Sequence, residues 1–301
     1  MKNKDKVIEA IINPSRLISY LSAKRYLNWV PDSIYLKILY RYQMHKRLNL
    51  RHPRTFSEKL QWLKLHDRNP LYTKLVDKYA VREYIAEKLG EQYLIPLIGV
   101  YNDFDEIDFD KLPNEFVLKC NHDSGSVVIC SNKTKLDIKS TRQWFQNRMK
   151  MNCYDWGREW PYKDIKPRII CEKMLDTQIF DYKIFCFNNK PKFLYVGQGL
   201  VADHSLKIDF YDLSWNRMPF KRTDYDNFDR LNKKPTLFES MLTLSEKLAT
   251  GIPFVRVDLY EVNDQLYFSE LTFTPCSGFM PIEPIEYDKL LGDLIELPQI
   301  Y

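Results

Sequence analysis

The sequence is poor in glycine and lacks long apolar runs. Only 9 of its 301 residues are glycine, and no Gly-x-Gly-x-x-Gly motif occurs, which excludes a dinucleotide-binding loop of that type. No apolar run reaches the length of a membrane-spanning helix. The first residues, Met-Lys-Asn-Lys-Asp-Lys, are not followed by the apolar core and small-residue cleavage site of a signal peptide. We therefore expect a protein that is neither embedded in a membrane nor secreted.

Cysteine pairs and a strong charge bias are also absent. None of the six cysteines forms a Cys-x-x-Cys pair. Several fall within predicted strands, so we interpret them as reduced core thiols of a cytoplasmic protein. The net charge is +5, and no basic block interleaved with aromatic residues indicates a nucleic-acid partner. What the chain does have is 45% hydrophobic residues, enough for a sizeable core.

The first fifty residues predict helices rich in tyrosine, leucine and basic side chains. Pro14 and Pro31 interrupt these helices, and the stretch from Lys37 to Arg51 contains five Lys or Arg and no acidic residue. Such a helix is typical of proteins that lie on an anionic membrane surface or bind an anionic glycan or lipid phosphate. An ordinary packing helix with a solvated basic face is the alternative. A peripheral contact of residues 7–51 with the inner face of a membrane is therefore one of two interpretations.

Two runs near the C-terminus predict a β-hairpin. Ile252–Tyr260 and Leu266–Thr272 are β-branched and aromatic with period-two alternation, and polar residues between them supply the turn. A three-residue loop places Asp258 opposite Glu270. A two-residue loop puts these carboxylates on opposite faces, because a shift of one residue moves every side chain to the other face.

Facing carboxylates on this hairpin predict a magnesium site. Two carboxylates opposite each other repel unless a cation lies between them. Oxygen ligands of this kind suit Mg²⁺, which completes its shell with substrate phosphates. Arg256, one pleat from Asp258, would then be a fixed positive charge beside the metal, and this combination clamps transferring phosphoryl groups. The alternative is a solvated face with an incidental Arg256–Asp258 pair.

Further stretches indicate either nucleotide or sugar-nucleotide chemistry. Lys119 lies on a predicted strand that leads into the turn Asn-His-Asp-Ser-Gly-Ser, where backbone N–H groups can hold a phosphate. Asp103-x-Asp105 and Asp108-x-Asp110 are able to hold a metal–nucleotide-sugar, and solvated turn residues are the alternative for both. A capping box, Thr55–Glu58, opens one helix, and a second helix is predicted from about Leu71 to Leu89.

Taken in order, several of these segments resemble one protein family. The segments are Asp77-Lys78, Lys119 with its Ser-Gly-Ser turn, Glu172-Lys-Met-Leu, Asp181-x-Lys183, Arg256-x-Asp258 and Glu270-x-Thr272. The set resembles the ATP-grasp superfamily, and most closely its TupA-like branch, which is associated with bacterial polysaccharide and teichuronopeptide synthesis. The similarity runs from about Thr55 to Leu291. It includes the branch-like segments Phe56-Ser-Glu-Lys-Leu-Gln-Trp, Asp77-Lys-Tyr-Ala-Val-Arg, Arg158-Glu-Trp and Glu270-Leu-Thr-Phe-Thr-Pro.

The resemblance implies an α+β protein with the ATP-grasp fold. Two α+β subdomains with antiparallel sheets would enclose ATP, preceded by an N-terminal helical region. The corresponding boundaries are residues 1–70 for the helical region, 71–175 for the lid-side subdomain with its phosphate flap, and 176–301 for the metal-binding subdomain.

The resemblance also implies roles for individual residues. Lys78 and Lys119 would contact the ATP phosphates, and Ser124, Gly125 and Ser126 would form a mobile flap over them. Glu172 and the backbone of Lys173 to Leu175 would bind adenine. Asp181 and Lys183 would contact the ribose or the phosphates. Asp258 and Glu270 would hold Mg²⁺, and Arg256 would stabilise the transferring phosphoryl group. Thr272 stands where many relatives have asparagine, so its hydroxyl would be a weaker, neutral ligand. The flap has one glycine where many relatives have several.

The activity that the resemblance implies is ATP-dependent carboxylate–amine ligation through an acylphosphate. The acceptor would be a uronic-acid carboxylate of a surface polysaccharide, and the amine an amino acid. This chemistry needs no protein nucleophile, and no Ser-His-Asp or Cys-His constellation is apparent. The alternatives are a glycosyltransferase of the same pathway, an ATP-grasp kinase, and a non-catalytic membrane-associated scaffold with a vestigial ATP site.

Overall fold

A computed structural model describes residues 14–176, 179–199 and 205–299. The helices are α1 (Pro14–Ala23), α2 (Asp32–Met44), α3 (Phe56–His66), α4 (Leu71–Val76), α5 (Val81–Lys88), α6 (Ile138–Arg148), α7 (Cys153–Gly157), α8 (Phe238–Ala249) and α9 (Glu286–Asp293). The strands are β1 (Leu97–Tyr101), β2 (Phe116–Cys120), β3 (Val127–Cys130), β4 (Ile169–Lys173), β5 (Asp181–Phe187), β6 (Lys190–Gln198), β7 (Lys207–Asp212), β8 (Lys221–Arg222), β9 (Phe254–Val262), β10 (Gln265–Thr272) and β11 (Ile282–Glu283).

Two antiparallel sheets organise these elements. A four-stranded sheet has the order β1-β4-β2-β3, and a five-stranded sheet has the order β10-β9-β5-β6-β7. The smaller sheet packs against α6, where Phe145 joins Phe116 and Leu118 in one apolar core. The larger sheet carries α8 on one face and the aromatic side of α3 on the other. Helices combined with antiparallel sheets confirm the predicted α+β class.

The turn between β9 and β10 has two residues rather than three. Asn263 and Asp264 have φ of 52° and 58°, as a type I′ hairpin turn requires. Such a turn alone would separate the two carboxylates, yet Asp258 pairs with Glu270. The register shifts between Phe268 and Glu270, because one extra residue, Ser269, forms a β-bulge. The bulge therefore restores the pairing that the two-residue turn would have removed.

The single helix predicted from Leu71 to Leu89 is wrong, because the chain breaks at Asp77. This residue leaves the helix with ψ of 110°, and its Oδ1 accepts hydrogen bonds from the backbone N–H groups of Tyr79 and Ala80 at 2.8 and 3.1 Å. Aspartate competes with the helix in this way because its short side chain reaches nearby N–H groups. Asn121 also donates to Asp77, at 2.9 Å, which brings Lys78 to the end of β2.

The described N-terminal helices pack onto the rest of the chain. The capping box at Thr55 and Glu58 is confirmed, and the helix α3 that it opens ends at His66. Ser57 donates to Asp288 of α9 through its backbone N–H and its hydroxyl, at 2.9 and 2.7 Å. None of the described helices is long and apolar enough to cross a membrane. Residues 7–13 of the predicted basic region lie outside the described residues, and the boundaries at 70 and 175 stay a prediction.

Candidate active site

A cavity of about 560 Å³ lies between the two larger sheets. Lys119 and Glu172 line it from the four-stranded sheet, and Asp181, Lys207 and Tyr260 line it from the five-stranded sheet. The segment that connects the sheets forms a further wall through Lys173, Met174 and Leu175. The volume falls within the range of about 300–1,000 Å³ that is typical of small-molecule sites.

One wall of the cavity is apolar. Val127 and Ile129 of β3 are 42% and 45% exposed and turn towards the space, together with Ile95, Val117 and Phe228. Exposed aliphatic side chains at the edge of a sheet suit the flat face of an aromatic ring better than they suit water. This wall therefore suits a flat apolar group of a ligand.

A charged triad stands at the cavity wall. The Lys119 Nζ lies 2.5 Å from one carboxylate oxygen of Glu172, and the Arg82 guanidinium lies 3.3 Å from the other. Arg82 also donates to the Ile95 carbonyl at 2.8 Å, so α5 holds the position of Glu172. Sequence reasoning missed Arg82, and its place at the end of the Asp77–Arg82 segment was the only signal for it.

A second charged group crosses β5, β9 and β10. Lys183 lies 2.5 Å from Asp181 and 2.6 Å from Asp258. Arg256 makes a two-pronged contact with Asp258, at 2.7 and 2.6 Å, which is the strong geometry for this ion pair. The Asp258 side chain has no exposed surface. Burial raises its pKa to about 6 against the opposing influence of Arg256 and Lys183.

Glu270 is the more accessible of the two hairpin carboxylates, with 23% of its side chain exposed. Arg256 donates to Glu270 at 3.2 Å and to the Thr272 hydroxyl at 3.0 Å, and the Lys78 Nζ lies 3.4 Å from Glu270. Burial acts to raise the pKa of Glu270, but Lys78, Lys183 and Arg256 outweigh it and lower the pKa to about 2. This carboxylate is therefore ionised at neutral pH.

The turn between β2 and β3 is held by cations on both sides. Gly125 adopts φ of 83°, a left-handed conformation that favours glycine. Arg148 of α6 lies 2.8 Å from the Asp123 carboxylate and donates to the Ser124 carbonyl at 2.9 Å, while Lys78 donates to the Asp123 carbonyl. Ser124 and Gly125 are exposed, whereas Ser126 is buried and donates to the Asp123 carboxylate. Neither Arg148 nor Asp123 was singled out from the sequence.

The Arg158-Glu159-Trp160 segment is structural in the described geometry. The Arg158 guanidinium stacks 4.0 Å from the Tyr35 ring centroid and donates to the Leu27 carbonyl at 2.7 Å. Glu159 accepts a hydrogen bond from Thr274, and the Trp160 indole donates to the Asp67 carbonyl at 3.2 Å. Three adjacent residues thus join the N-terminal helices to the segment that follows Glu270.

The remaining acidic motifs serve as turn caps. Asp103 accepts from the Asp105 N–H at 2.9 Å, and Asp108 accepts from the Asp110 N–H at 3.2 Å. The described residues include no group of three or more His, Cys, Asp or Glu that could hold a metal. The structure brings the predicted site residues together around the cavity and the hairpin, and their roles with ATP and Mg²⁺ stay a prediction.

Comparisons with known proteins identify one family and several solved structures of low identity. The model of the family described as TupA-like ATPgrasp matches residues 58–296. Among solved structures, a D-alanine–D-alanine ligase from Bacillus anthracis complexed with ATP shares 14% identity at a TM-score of 0.43, over 74% of this chain and 65% of that one. An L-amino acid ligase from Bacillus licheniformis shares 12% identity at a TM-score of 0.43, over 74% of this chain and 49% of that one. A D-alanine–D-alanine ligase from Helicobacter pylori shares 13% identity at a TM-score of 0.41, over 80% of this chain and 69% of that one.

The chain spans about 65% of the length of the first structures that it matches. No curated protein matches it.

Proposed function

Because the chain belongs to the TupA-like ATP-grasp family, whose model matches residues 58–296, we propose that it is an ATP- and Mg²⁺-dependent carboxylate–amine ligase. The observation that carries this proposal is a continuous row of paired charges, formed by Lys78, Glu270, Arg256, Asp258 and Lys183. Lys183 joins this row to Asp181, which lines the cavity, and fixed charges of both signs in such a position suit phosphoryl transfer.

The nucleotide is proposed to bind in the 560 Å³ cavity. Its base would lie on the apolar wall and meet the backbone of residues 173–175, where β4 ends. The triphosphate would extend past Lys119 towards Lys78 and the Ser124–Ser126 turn. Asp181 fits the ribose end, because its Oδ1 is buried without a hydrogen-bond partner and its side chain lines the cavity. An orphaned buried acceptor of this kind calls for a donor from a ligand or from water.

We propose that the donor set on the hairpin holds magnesium, with the ion replacing part of the contacts that Arg256 and Lys183 make to Asp258. Asp258 and Glu270 are hard oxygen ligands, as Mg²⁺ prefers, and they pair directly across β9 and β10. The Thr272 hydroxyl lies 3.3 Å from Glu270 and would be a third, neutral donor. When bound, the ion would neutralise charge on the triphosphate. Arg256 contacts all three side chains and would orient them.

The proposed reaction has two steps and needs no protein nucleophile. A substrate carboxylate oxygen attacks the γ-phosphorus of ATP, and the bond to the β-phosphate oxygen breaks, giving an acylphosphate and ADP. An amine then attacks the acyl carbon, releases inorganic phosphate and forms an amide, and its proton passes to solvent or to phosphate. Arg256 would stabilise the charge that develops on the transferring group.

For the substrates we propose a uronic-acid carboxylate of a bacterial surface polysaccharide and the amine of an amino acid. The support is the association of the TupA-like branch with such polymers, which is an argument from family and not from the site. Asp103 and Asp108 cap turns, which supports the interpretation of both Asp-x-Asp motifs as turn residues and lends no support to a glycosyltransferase.

The test uses a carboxyl-¹⁸O-labelled uronic-acid glycan with ATP, Mg²⁺ and an amino-acid mixture, analysed by mass spectrometry. A ligase would release ADP and phosphate carrying one labelled oxygen, and would form an amide only when both substrates are present. A stable phosphorylated glycan without the amine would indicate a kinase. Coupled AMP and pyrophosphate would contradict the proposed mechanism, and nucleotide binding without turnover of any tested acceptor would favour a scaffold.

A further inference from the structure

The outer face of α2 combines apolar and basic side chains. Ile34, Ile38 and Tyr42 are 50%, 45% and 41% exposed, and they follow one another at four-residue intervals. Lys37 and Arg41 are exposed between them. At 100° per residue these five side chains fall within about 140° of the helix circumference. Water therefore meets a stripe that a soluble helix ordinarily keeps polar.

The opposite face of α2 is already packed. Tyr35, Leu36, Leu39 and Tyr40 are each at most 2% exposed. The Tyr35 hydroxyl donates to the Trp156 carbonyl at 2.7 Å, and the Tyr40 hydroxyl lies 2.9 Å from that of Ser57. Intramolecular packing thus accounts for the inner side chains and leaves the outer ones unexplained. It also fixes the helix, so the outer stripe is presented on a rigid support.

The turn before α2 adds two aromatic side chains. Tyr26 is 64% exposed and Trp29 is 81% exposed. Tryptophan and tyrosine are enriched where proteins meet the membrane–water interface, because one end of each ring system is apolar and the other forms hydrogen bonds. Both residues lie within eight positions of Ile34, at the N-terminal end of the stripe.

Charge in this region is predominantly positive. Residues 24–54 contain eight Lys or Arg and a single acid, Asp32. Asp32 is engaged by Arg68 at 2.9 Å and by the Tyr154 hydroxyl at 2.8 Å. The excess of basic over acidic residues in this segment is larger than the net charge of +5 for the whole chain. The rest of the chain is therefore net negative. Arg25 already pairs with Asp155 at 3.0 Å, and the remaining positive charge complements an anionic partner.

We propose that this face docks the chain on an anionic lipid bilayer. The docking face consists of Tyr26, Trp29, Ile34, Lys37, Ile38, Arg41 and Tyr42. Its apolar members would enter the region between headgroups and acyl chains, while Lys37 and Arg41 would remain at the level of the phosphates. A soluble anionic glycan would use the charges but would leave the isoleucines in water. This inference does not depend on the ligase chemistry.

The test is flotation of the full chain with vesicles of phosphatidylcholine, alone or mixed with phosphatidylglycerol. Wild type should float with the anionic vesicles, bind neutral ones more weakly, and lose anionic binding as salt rises. Lys37→Gln with Arg41→Gln should weaken anionic binding roughly 30-fold, since each such charge contributes a factor of about five near an anionic surface. Ile34→Ser with Ile38→Ser should weaken binding about tenfold or more, because less apolar area enters the bilayer.

The start of α6 supplies matched controls. Lys135 and Lys139 are exposed and flank Ile138, which is 44% exposed. Lys135→Gln with Lys139→Gln removes the same charge from another surface, and Ile138→Ser removes a similarly exposed isoleucine. Both should bind vesicles as wild type does. The thermal unfolding midpoint of every variant is compared with that of wild type. If the variant Ile34→Ser with Ile38→Ser is unfolded, the vesicle binding of the variant Lys37→Gln with Arg41→Gln tests the proposal by itself.

Four outcomes would overturn the proposal. They are no flotation of wild type with anionic vesicles, equal flotation with neutral ones, no loss in the Lys37–Arg41 variant, or an equal loss in the α6 controls. Binding to a soluble anionic glycan without vesicle binding would assign the face to that glycan. An independent readout is the tryptophan emission, which should shift to shorter wavelength on addition of anionic vesicles in wild type and shift less in Trp29→Phe.

Discussion

Lys64 and Lys183 are both largely withdrawn from solvent, but they lie in opposite environments. Lys64 of α3 donates to the carbonyls of Gly157 and Ser277, each at 2.7 Å, and to the side-chain oxygen of Gln61 at 3.0 Å. No carboxylate of the described residues bonds to it, and burial lowers its pKa to about 8 although Glu159 opposes the shift. Burial also acts to lower the pKa of Lys183, but Asp181 and Asp258 outweigh it and hold the pKa well above its usual value.

The difference separates a structural lysine from a site lysine. The partners of Lys64 are neutral groups of its own chain, so its function is to tie α3 to the segments around Gly157 and Ser277. Lys183 belongs to a balanced group in which the three cations Lys78, Lys183 and Arg256 face the three anions Asp181, Asp258 and Glu270. Because this group is neutral, it does not by itself offset the charge of a triphosphate. This balance supports our proposal that ATP enters together with a divalent cation.

The largest expected effect is on turnover. Asp258→Asn and Glu270→Gln each keep the shape of the side chain and remove one charge from the balanced group. Release of ADP should fall by about 10²–10³-fold or more, since the groups at the transferring phosphate are then misaligned. Asp264→Asn, in the turn of the same hairpin, is the matched control and should retain activity. Near-normal ADP release in both site variants would remove the proposed metal site.

Replacing Lys64 by Met should chiefly affect stability. The change removes the donor to the Gly157 carbonyl and one of two donors to the Ser277 carbonyl, which keeps Gln61. The loss of these buried bonds should cost about 2–4 kcal/mol of unfolding free energy, measured by urea denaturation. Lys59→Met, on the same helix, loses a single hydrogen bond to the Ile295 carbonyl and should cost less than about 1 kcal/mol. Nucleotide affinity of the folded Lys64 variant should match that of wild type. A strongly weakened affinity would blur the distinction between the two lysines.

Arg82→Gln should have an intermediate effect on nucleotide binding. Removing the Arg82 guanidinium takes away the contact that holds Glu172, and through Glu172 also Lys119, in position. The KM for ATP should therefore rise about tenfold while kcat changes little. Steady-state kinetics with varied ATP would measure this split. Lys88→Gln, an exposed residue of the same helix, serves as the control. A fall in kcat at unchanged KM would argue that Arg82 acts on the chemistry instead.

The smallest effect concerns pH. The pKa of Lys64 is about 8 in the folded chain and 10.5 as its ordinary value, so between these limits the unfolded chain binds more protons at this residue. Stability from Lys64 should therefore rise with pH from about 8 to 10.5, by roughly 1–3 kcal/mol. The quantity to measure is the difference in unfolding free energy between wild type and Lys64→Met, in which other titrating groups cancel. A difference that falls across this window would contradict the assigned burial.

Much of the fold follows from local sequence signals. Alternation in the runs around Asp258 and Glu270 predicted strands that the structure contains. The Thr55–Glu58 capping box placed the start of α3 to the residue. Such signals work because they depend on neighbours within one turn or one pleat.

The errors and omissions concern long-range contacts. The helix break at Asp77 combines local hydrogen bonds to Tyr79 and Ala80 with one from Asn121, 44 positions away, and no local propensity reveals that distant partner. Arg82 and Arg148 gain their positions from Glu172 and Asp123, 90 and 25 residues along the chain. The family resemblance identified the acidic and basic residues of the proposed site, whereas the contacts that orient them become visible only in the three-dimensional structure.

The bulge at Ser269 makes turn length and strand length interchangeable. Whether Asp258 and Glu270 lie on the same face depends on whether the number of residues between them, counted through the turn, is odd or even. The chain satisfies it with a two-residue turn and one extra residue in the strand, and a three-residue turn with a regular strand would satisfy it equally. Inserting one residue after Asp264 or deleting Ser269 would each misalign the carboxylates, whereas both changes together would realign them. The alignment therefore depends on the total number of residues between Asp258 and Glu270, and not on whether the extra residue lies in the turn or in the strand.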